Sequence, residues 1–181
     1  SMQTAESIYG VLMSVRRIYH RQFVSSGIPL TKKTVGFLPA HALTRISNDF
    51  KNWHDSGITF NNVSDRPRNP KQKADTGELA IMDYFRKNPK TQIYGKSTAE
   101  YYHYARPIWV EKYCLECHGK RSEAPLAIRK MYDTAFGYKV GELRGILSIK
   151  IPQQNLKVAA TNAFIDDFLV HLVALLFIGF F

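Results

Sequence analysis

The chain has 181 residues with 45% hydrophobic and 13% aromatic content, which is typical of a folded globular protein and excludes a disordered or fibrous chain. One domain of this size buries a sufficient core without disulfides, so the two cysteines are more informative about chemistry than about stability. The net charge of +10 is compatible with three kinds of partner: a nucleic acid, an anionic membrane or an acidic ligand. The basic residues are scattered, with no zinc-finger spacing or RNP-like motif, so no nucleic acid is expected as a partner.

The N-terminal region predicts a long amphipathic helix. Residues 4–24 place apolar side chains at helical spacing, from Ile8 to Phe23, with arginines between them. This helix either packs against the domain core or forms a stalk that leaves a membrane span and pairs with its counterpart in a homodimer. Residues 1–38 are therefore predicted to be a helical stalk and linker.

The middle of the chain mixes helices and strands. A second helix is predicted from Pro39, where the missing N–H of the first turn costs nothing, to about His54. The remaining predicted elements are strands at residues 58–63, 92–95, 97–108 and 145–152 and a helix at residues 78–87. This mixture predicts an α+β domain with an antiparallel sheet over residues 39–156.

The C-terminal region is strongly apolar. Between Phe168 and Phe181 the only polar side chain is that of His171. Because a membrane-spanning helix needs about 20 apolar residues, we expect residues 157–181 to form a helix leading into a truncated transmembrane segment. A buried terminal helix is the alternative. The first two residues resemble a cloning remnant and no signal peptide follows them, so further residues are expected upstream.

Both cysteines lie in one short motif, Cys114-Leu115-Glu116-Cys117-His118, which has the C-x-x-C-H pattern of covalent c-type haem attachment. Two thiols at this spacing can add to the two vinyl groups of one porphyrin, and His118 can then supply an imidazole nitrogen to the iron. A zinc site would need a second ligand pair, and a thioredoxin-like redox pair would need a preceding strand and a following helix. One haem c, covalent through Cys114 and Cys117, is therefore predicted.

Several longer stretches carry a family resemblance: residues 63–70, 104–107, 113–119 and 137–152. With them, the chain from about Pro39 to Pro152 resembles the Tll0287-like haem domain family. The resemblance implies a PAS-like fold, with an antiparallel sheet and flanking helices, and a sensory role between two membrane helices. Because haem attachment of this kind takes place outside the cytoplasm, it also implies a bacterial inner-membrane protein with its haem domain in the periplasm.

The resemblance leaves the sixth iron ligand open. At the place where some family members draw a ligand from the helix before the first strand, this sequence has His41, which is the predicted metal ligand opposite His118. The rivals are His54, His103 and Met82. An open or water-bound iron is the remaining alternative.

The other candidate cofactor-binding residues are arginines and aromatics. Arg66, Arg68 and Arg106 are candidates for pairing with the haem propionates, or else they are solvated or hold the loop to the sheet. Tyr104 and Trp109 are candidates for the apolar walls of the haem site, or else they are ordinary core residues. Tyr138 follows the family pattern and is expected at a haem edge.

Two main functions are compatible with such a site. In the first, a membrane-bound signalling receptor senses redox state or a diatomic gas, NO or CO, through a change of haem ligand. In the second, the protein is a mono-haem electron-transfer cytochrome c. An enzyme is not expected, because no distal acid/base constellation stands out in the sequence. A firmly bound His41 would favour redox sensing and an open site would favour gas binding.

Overall fold

A computed structural model describes residues 1–153 together with residues 164, 165, 168 and 171. The helices are α1 (Met2–Ser25), α2 (Pro39–Phe50), α3 (Thr76–Lys87), α4 (Leu115–His118) and α5 (Leu126–Met131). The strands are β1 (Thr59–Val63), β2 (Tyr94–Ser97), β3 (Tyr101–Trp109) and β4 (Leu143–Pro152). The predicted α+β class is confirmed. The second helix begins at the predicted proline and ends earlier than predicted, before a turn at residues 51–53.

The four strands form one antiparallel sheet in the order β1-β4-β3-β2. The last strand in sequence, β4, therefore lies between β1 and β3. Alternate side chains of β4 point to opposite faces, as the pleat requires. Leu147, Ile149 and Ile151 face α1 and α2, whereas Ile146 faces α3. The sheet is thus the middle of three layers.

Each face of the sheet has its own core. On one face, Leu12 of α1 and Leu43 of α2 pack with Phe60 and Tyr104 of the strands. On the other face, α3 packs the buried side chains Ile81, Met82 and Phe85. A capping box between Asp75 and Glu78 fixes the start of α3 by pairing each side chain with the backbone N–H of the other.

Helix α1 belongs to the first of these cores. Its buried residues are Ala5 and Leu12, so the helix packs against the sheet. Two members of the predicted apolar stripe, Val11 and Ile18, are instead 63% and 62% exposed. Leu12 defines the inward face of α1. Arg16 and His20, which are four and eight residues later, share that face and are polar.

The predicted terminal helix and transmembrane segment at residues 157–181 fall outside the described residues, except for positions 164, 165, 168 and 171. Within the described part of the chain, no helix combines the length and the apolar character needed to cross a membrane.

A β-bulge interrupts the pairing of the two central strands. Trp109 pairs with Leu143 and Ile108 pairs with Gly145, which leaves Arg144 as an extra residue on β4. In unbroken alternation Arg144 would share the α3 face with Ile146. Leu143 lies on that face instead, and Arg144 lies near residues of α1 and α2.

His103 is a titratable group buried in the α3 layer. Its Nε2 lies 2.8 Å from Ser148 Oγ. Burial, together with the nearby positive charge of Lys150, lowers the pKa of His103 below its ordinary value of 6.5, although Glu78 and Asp75 act in the opposite direction. The folded chain therefore holds this imidazole neutral at a pH where an unfolded chain would protonate it.

We expect the free energy of unfolding to fall as the pH is lowered from about 7 to about 5, because the lowered pKa of His103 lets the unfolded state take up this proton at a higher pH than the folded state does. His103→Gln can keep the bond to Ser148 and should weaken that pH dependence, as measured by urea unfolding at both pH values. The control is His54→Gln at an exposed position, which should behave like the wild type. An unchanged pH dependence in His103→Gln would contradict the prediction.

Candidate functional site

One end of the sheet carries the candidate site. The chain leaves β3 at Trp109, forms α4 and α5, and returns to β4 at Leu143. The base of this excursion is closed by two backbone bonds of 2.9 Å, from Val110 N to Glu142 O and from Gly141 N to Val110 O. The C-x-x-C-H motif therefore lies on a segment whose two ends are paired.

Both cysteines and the histidine of the motif line one cavity. Cys114 and Cys117 are partly buried free thiols, and His118 ends the short helix α4. About 730 Å³ of the space in and around this cavity is free of protein atoms, part of it open solvent. We call it the central cavity; its other titratable lining residues are Arg16, His20, His41, Arg68, Tyr113, Tyr132 and Arg144.

The imidazole of His118 is held in one tautomer. Its Nδ1 lies 2.9 Å from the carbonyl oxygen of Ala135, which can only accept, so Nδ1 carries the proton. Burial, with the positive charges of Arg144 and Arg68, lowers the pKa of His118 to about 3. The ring is therefore neutral near pH 7, and its Nε2 has a free lone pair. A metal-binding histidine typically makes this kind of hydrogen bond through its second ring nitrogen.

A tight turn presents the Ala135 carbonyl to His118. Ala135 has a φ of 60°, in the left-handed region, and Gly137 has a φ of 77°. Gly137 N then donates to Gly119 O at 2.8 Å and Tyr138 N donates to His118 O at 3.0 Å. Residues 135–138, which follow α5, are thus hydrogen-bonded to His118 and Gly119 at the end of the motif.

Arg68 holds the motif and the turn after α5 by hydrogen bonds to their backbone. Its guanidinium donates to the backbone carbonyls of Cys117, Thr134 and Ala135. Burial lowers the pKa of Arg68 to about 10, at which the side chain still carries its charge near pH 7. Of the two roles considered for Arg68, the contacts are those of a residue that holds the loop.

The other two predicted arginines contact different groups. Arg66 forms an exposed ion pair with Glu142 and stacks over the ring of Tyr138. Arg106 stands 4.6 Å from the ring centroid of Tyr9 on α1. Neither belongs to the lining of the central cavity, and their pairing with propionates stays a prediction.

The predicted aromatic residues divide between core and site. Tyr104 is fully buried in the core and packs against Tyr9. Trp109 lines a second cavity, beside the central one, between α1 and the end of β3. Tyr138 is buried with its ring edge-on to His118, at a centroid distance of 5.8 Å. Of these three, Tyr138 directly contacts the motif.

The predicted sixth ligand, His41, lines the central cavity from α2. Its Nε2 lies 2.9 Å from the hydroxyl of Tyr132, and burial together with Arg45 lowers its pKa. The rival His54 is exposed and its Nδ1 accepts from Ser56 N. His103 and Met82 are buried in the α3 layer, on the opposite face of the sheet from α1 and α2.

Sequence analysis missed His20, which also lines the central cavity. Its Nδ1 is buried without a hydrogen-bond partner among the described residues, and its ring centroid is 5.8 Å from that of Tyr113. The available signal was spacing. His20 follows Leu12 by two helical steps of four residues and therefore shares the inward face of α1.

Comparisons with known proteins agree with this architecture. The family model described as Tll0287-like matches residues 1–152, and the chain belongs to that family. The crystal structure of the cyanobacterial heme-protein Tll0287 matches with a TM-score of 0.65 at 23% sequence identity, over 84% of this chain and 97% of that one. This likeness shows the fold. A comparison with curated proteins finds no match.

The clamp made by Arg68 can be tested in the purified protein. Arg68→Lys keeps the positive charge but cannot reach several carbonyls at once, so we expect a loss of about 1–3 kcal/mol in the free energy of unfolding. The matched control is Arg66→Lys, whose exposed ion pair should contribute less than about 1 kcal/mol. Urea unfolding followed by circular dichroism measures both. Equal losses in the two variants would contradict the role given to Arg68.

Proposed function

We propose that this protein is a c-type haem protein in which Cys114 and Cys117 would hold one haem covalently and His118 would be a ligand to its iron. The observation that carries the proposal is the tautomer of His118, whose bond to Ala135 leaves Nε2 unprotonated beside two free thiols in one cavity. A bound haem would supply an iron that changes oxidation state and binds small ligands. Membership in the Tll0287-like family supports the choice of cofactor.

We propose His20 as the sixth ligand, with His41 as the second candidate. A ligating histidine must offer a free ring nitrogen. His20 has a buried nitrogen without a partner, whereas Nε2 of His41 is engaged by the Tyr132 hydroxyl. Both residues line the central cavity, so if one histidine were released from the iron, the other could take its place.

The location of His20 on α1 favours a sensor. Helix α1 packs on the sheet through Ala5 and Leu12, so the binding or release of His20 would change how that helix sits against the core. We propose that redox state or a diatomic gas, NO or CO, controls this change. We further propose that the domain belongs to a non-enzymatic signalling receptor, anchored in the bacterial inner membrane with the haem domain in the periplasm. A mono-haem electron-transfer cytochrome c is the alternative function.

Absorption spectra of protein made with c-type haem maturation test the ligand set. The wild type should show covalent haem in the pyridine haemochrome assay and a six-coordinate low-spin spectrum. His20→Ala should become high-spin and bind CO faster after reduction, while His41→Ala should remain low-spin. The reverse pattern would assign the sixth ligand to His41. A high-spin wild type would contradict both His20 and His41 as the sixth ligand. Absence of covalent haem would overturn the proposed function.

A homodimer is the oligomeric state we propose for the receptor. The outer surface of α1 exposes Val11 and Ile18, which are seven residues apart and therefore share one face, as apolar side chains suited to pairing with a second copy. We expect light scattering of the haem-loaded protein to report a dimer and Ile18→Glu to report a monomer. Leu126→Glu, at an exposed apolar position on α5, serves as the control and should leave the dimer intact. A monomeric wild type would rule this dimer out.

A further inference from the structure

A small polar cavity adjoins the inner end of the central cavity. Asn62, Ser64 and Arg66 contribute to its lining, and Arg68, Gln72 and Arg144 line both cavities. We call it the inner cavity. It has room for little more than one small polar group, such as a water molecule or the head of a carboxylate.

The charge of the inner cavity is positive and uncompensated within its walls. No aspartate or glutamate is among its lining residues in the described part of the chain. Arg66 is paired outward with Glu142, and Arg68 donates to the carbonyls of the motif segment. The guanidinium of Arg144 has no hydrogen-bond or ion-pair partner among the described residues, and burial lowers its pKa.

A second polar group in the same cavity also lacks a partner. Asn62 is 4% exposed, and both its amide nitrogen and its amide oxygen are buried without a hydrogen bond among the described residues. The neighbouring polar groups are already used. Ser64 Oγ donates to Arg144 O at 2.6 Å, and Gln72 Nε2 donates to Ala40 O at 3.0 Å. A buried amide left unsatisfied is costly, so this position calls for a ligand.

The backbone delivers these two groups to one place. Asn62 follows Phe60 by two residues on β1 and therefore shares the α1 and α2 face of the sheet. Arg144 reaches the cavities because it is the extra residue of the β-bulge. An arginine fork together with an amide N–H group is a donor set that matches the two oxygens of a carboxylate.

We propose that Arg144 and Asn62 form a carboxylate-binding site at the inner end of the central cavity. Two sources would supply that chemistry: a propionate of the bound haem, or a free carboxylate from solution. The first source rests on the proposed function and the second does not. Either one would accept hydrogen bonds from the Arg144 guanidinium and from the amide N–H group of Asn62, and would neutralise the buried charge.

The test uses haem-loaded protein, with covalent haem first verified by the pyridine haemochrome assay. If the carboxylate is a propionate, Arg144→Gln and the neutral change Asn62→Leu should both shift the midpoint reduction potential, while sodium formate should leave the melting temperature unchanged. If it comes from solution, formate should raise the melting temperature of the wild type relative to sodium chloride at equal ionic strength. Both variants should lose that rise.

Controls separate a site from a simple charge effect. Arg86→Gln removes the same charge from an exposed pair with Asp65 and Asp83 and should leave the midpoint potential and the formate response at wild-type values. Arg144→Lys keeps the charge but not the fork, and we expect it to reproduce part of the Arg144→Gln effect. Wild-type behaviour of Asn62→Leu and Arg144→Lys in both measurements would overturn the carboxylate site, even with haem bound. Failure to attach haem would instead count against the proposed function.

Discussion

The hydrogen bond between His118 Nδ1 and the Ala135 carbonyl joins the two halves of the segment that carries the site. It fixes the tautomer of the imidazole, and it depends on a backbone turn in which an alanine takes a left-handed conformation. Arg68 donates to the same carbonyl and to that of Cys117, so one guanidinium ties both halves to the loop after β1. The orientation of the motif is therefore set by contacts outside the motif.

The rest of the fold supplies the walls of the cavity around that segment. Helices α1 and α2 pack on one face of the sheet and bring His20 and His41 to the central cavity. Helix α3 fills the opposite face and places two of the rival ligands, His103 and Met82, in its own layer. The layering thus determines which of the chain's histidines can approach the motif, a choice that their positions in sequence do not reveal.

Features with a strong local pattern could be predicted from the sequence. The C-x-x-C-H motif is complete in five residues, and the alternation before Pro152 indicated β4 closely. The roles of His20 and Arg144 could not be predicted in this way. The inward face of α1 is set by packing of Ala5 and Leu12 against a distant sheet, and the predicted apolar stripe contained exposed residues as well as Leu12. The direction of Arg144 depends on the register between two strands, which is a long-range property.

Because Arg144 is the extra residue of the bulge, the length of β4 determines whether an arginine reaches the two cavities. With Arg144 removed, Leu143 could pair as before and Gly145 would follow it directly, so the sheet would keep its strands and its order. Gly145 must stay a glycine in either case, because a Cβ there would lie 2.3 Å from the carbonyl oxygen of Val63. A single-residue deletion would therefore keep the sheet while removing one positive charge from the lining of both cavities. Chain length at this position, as much as residue identity, sets how many arginines line the site.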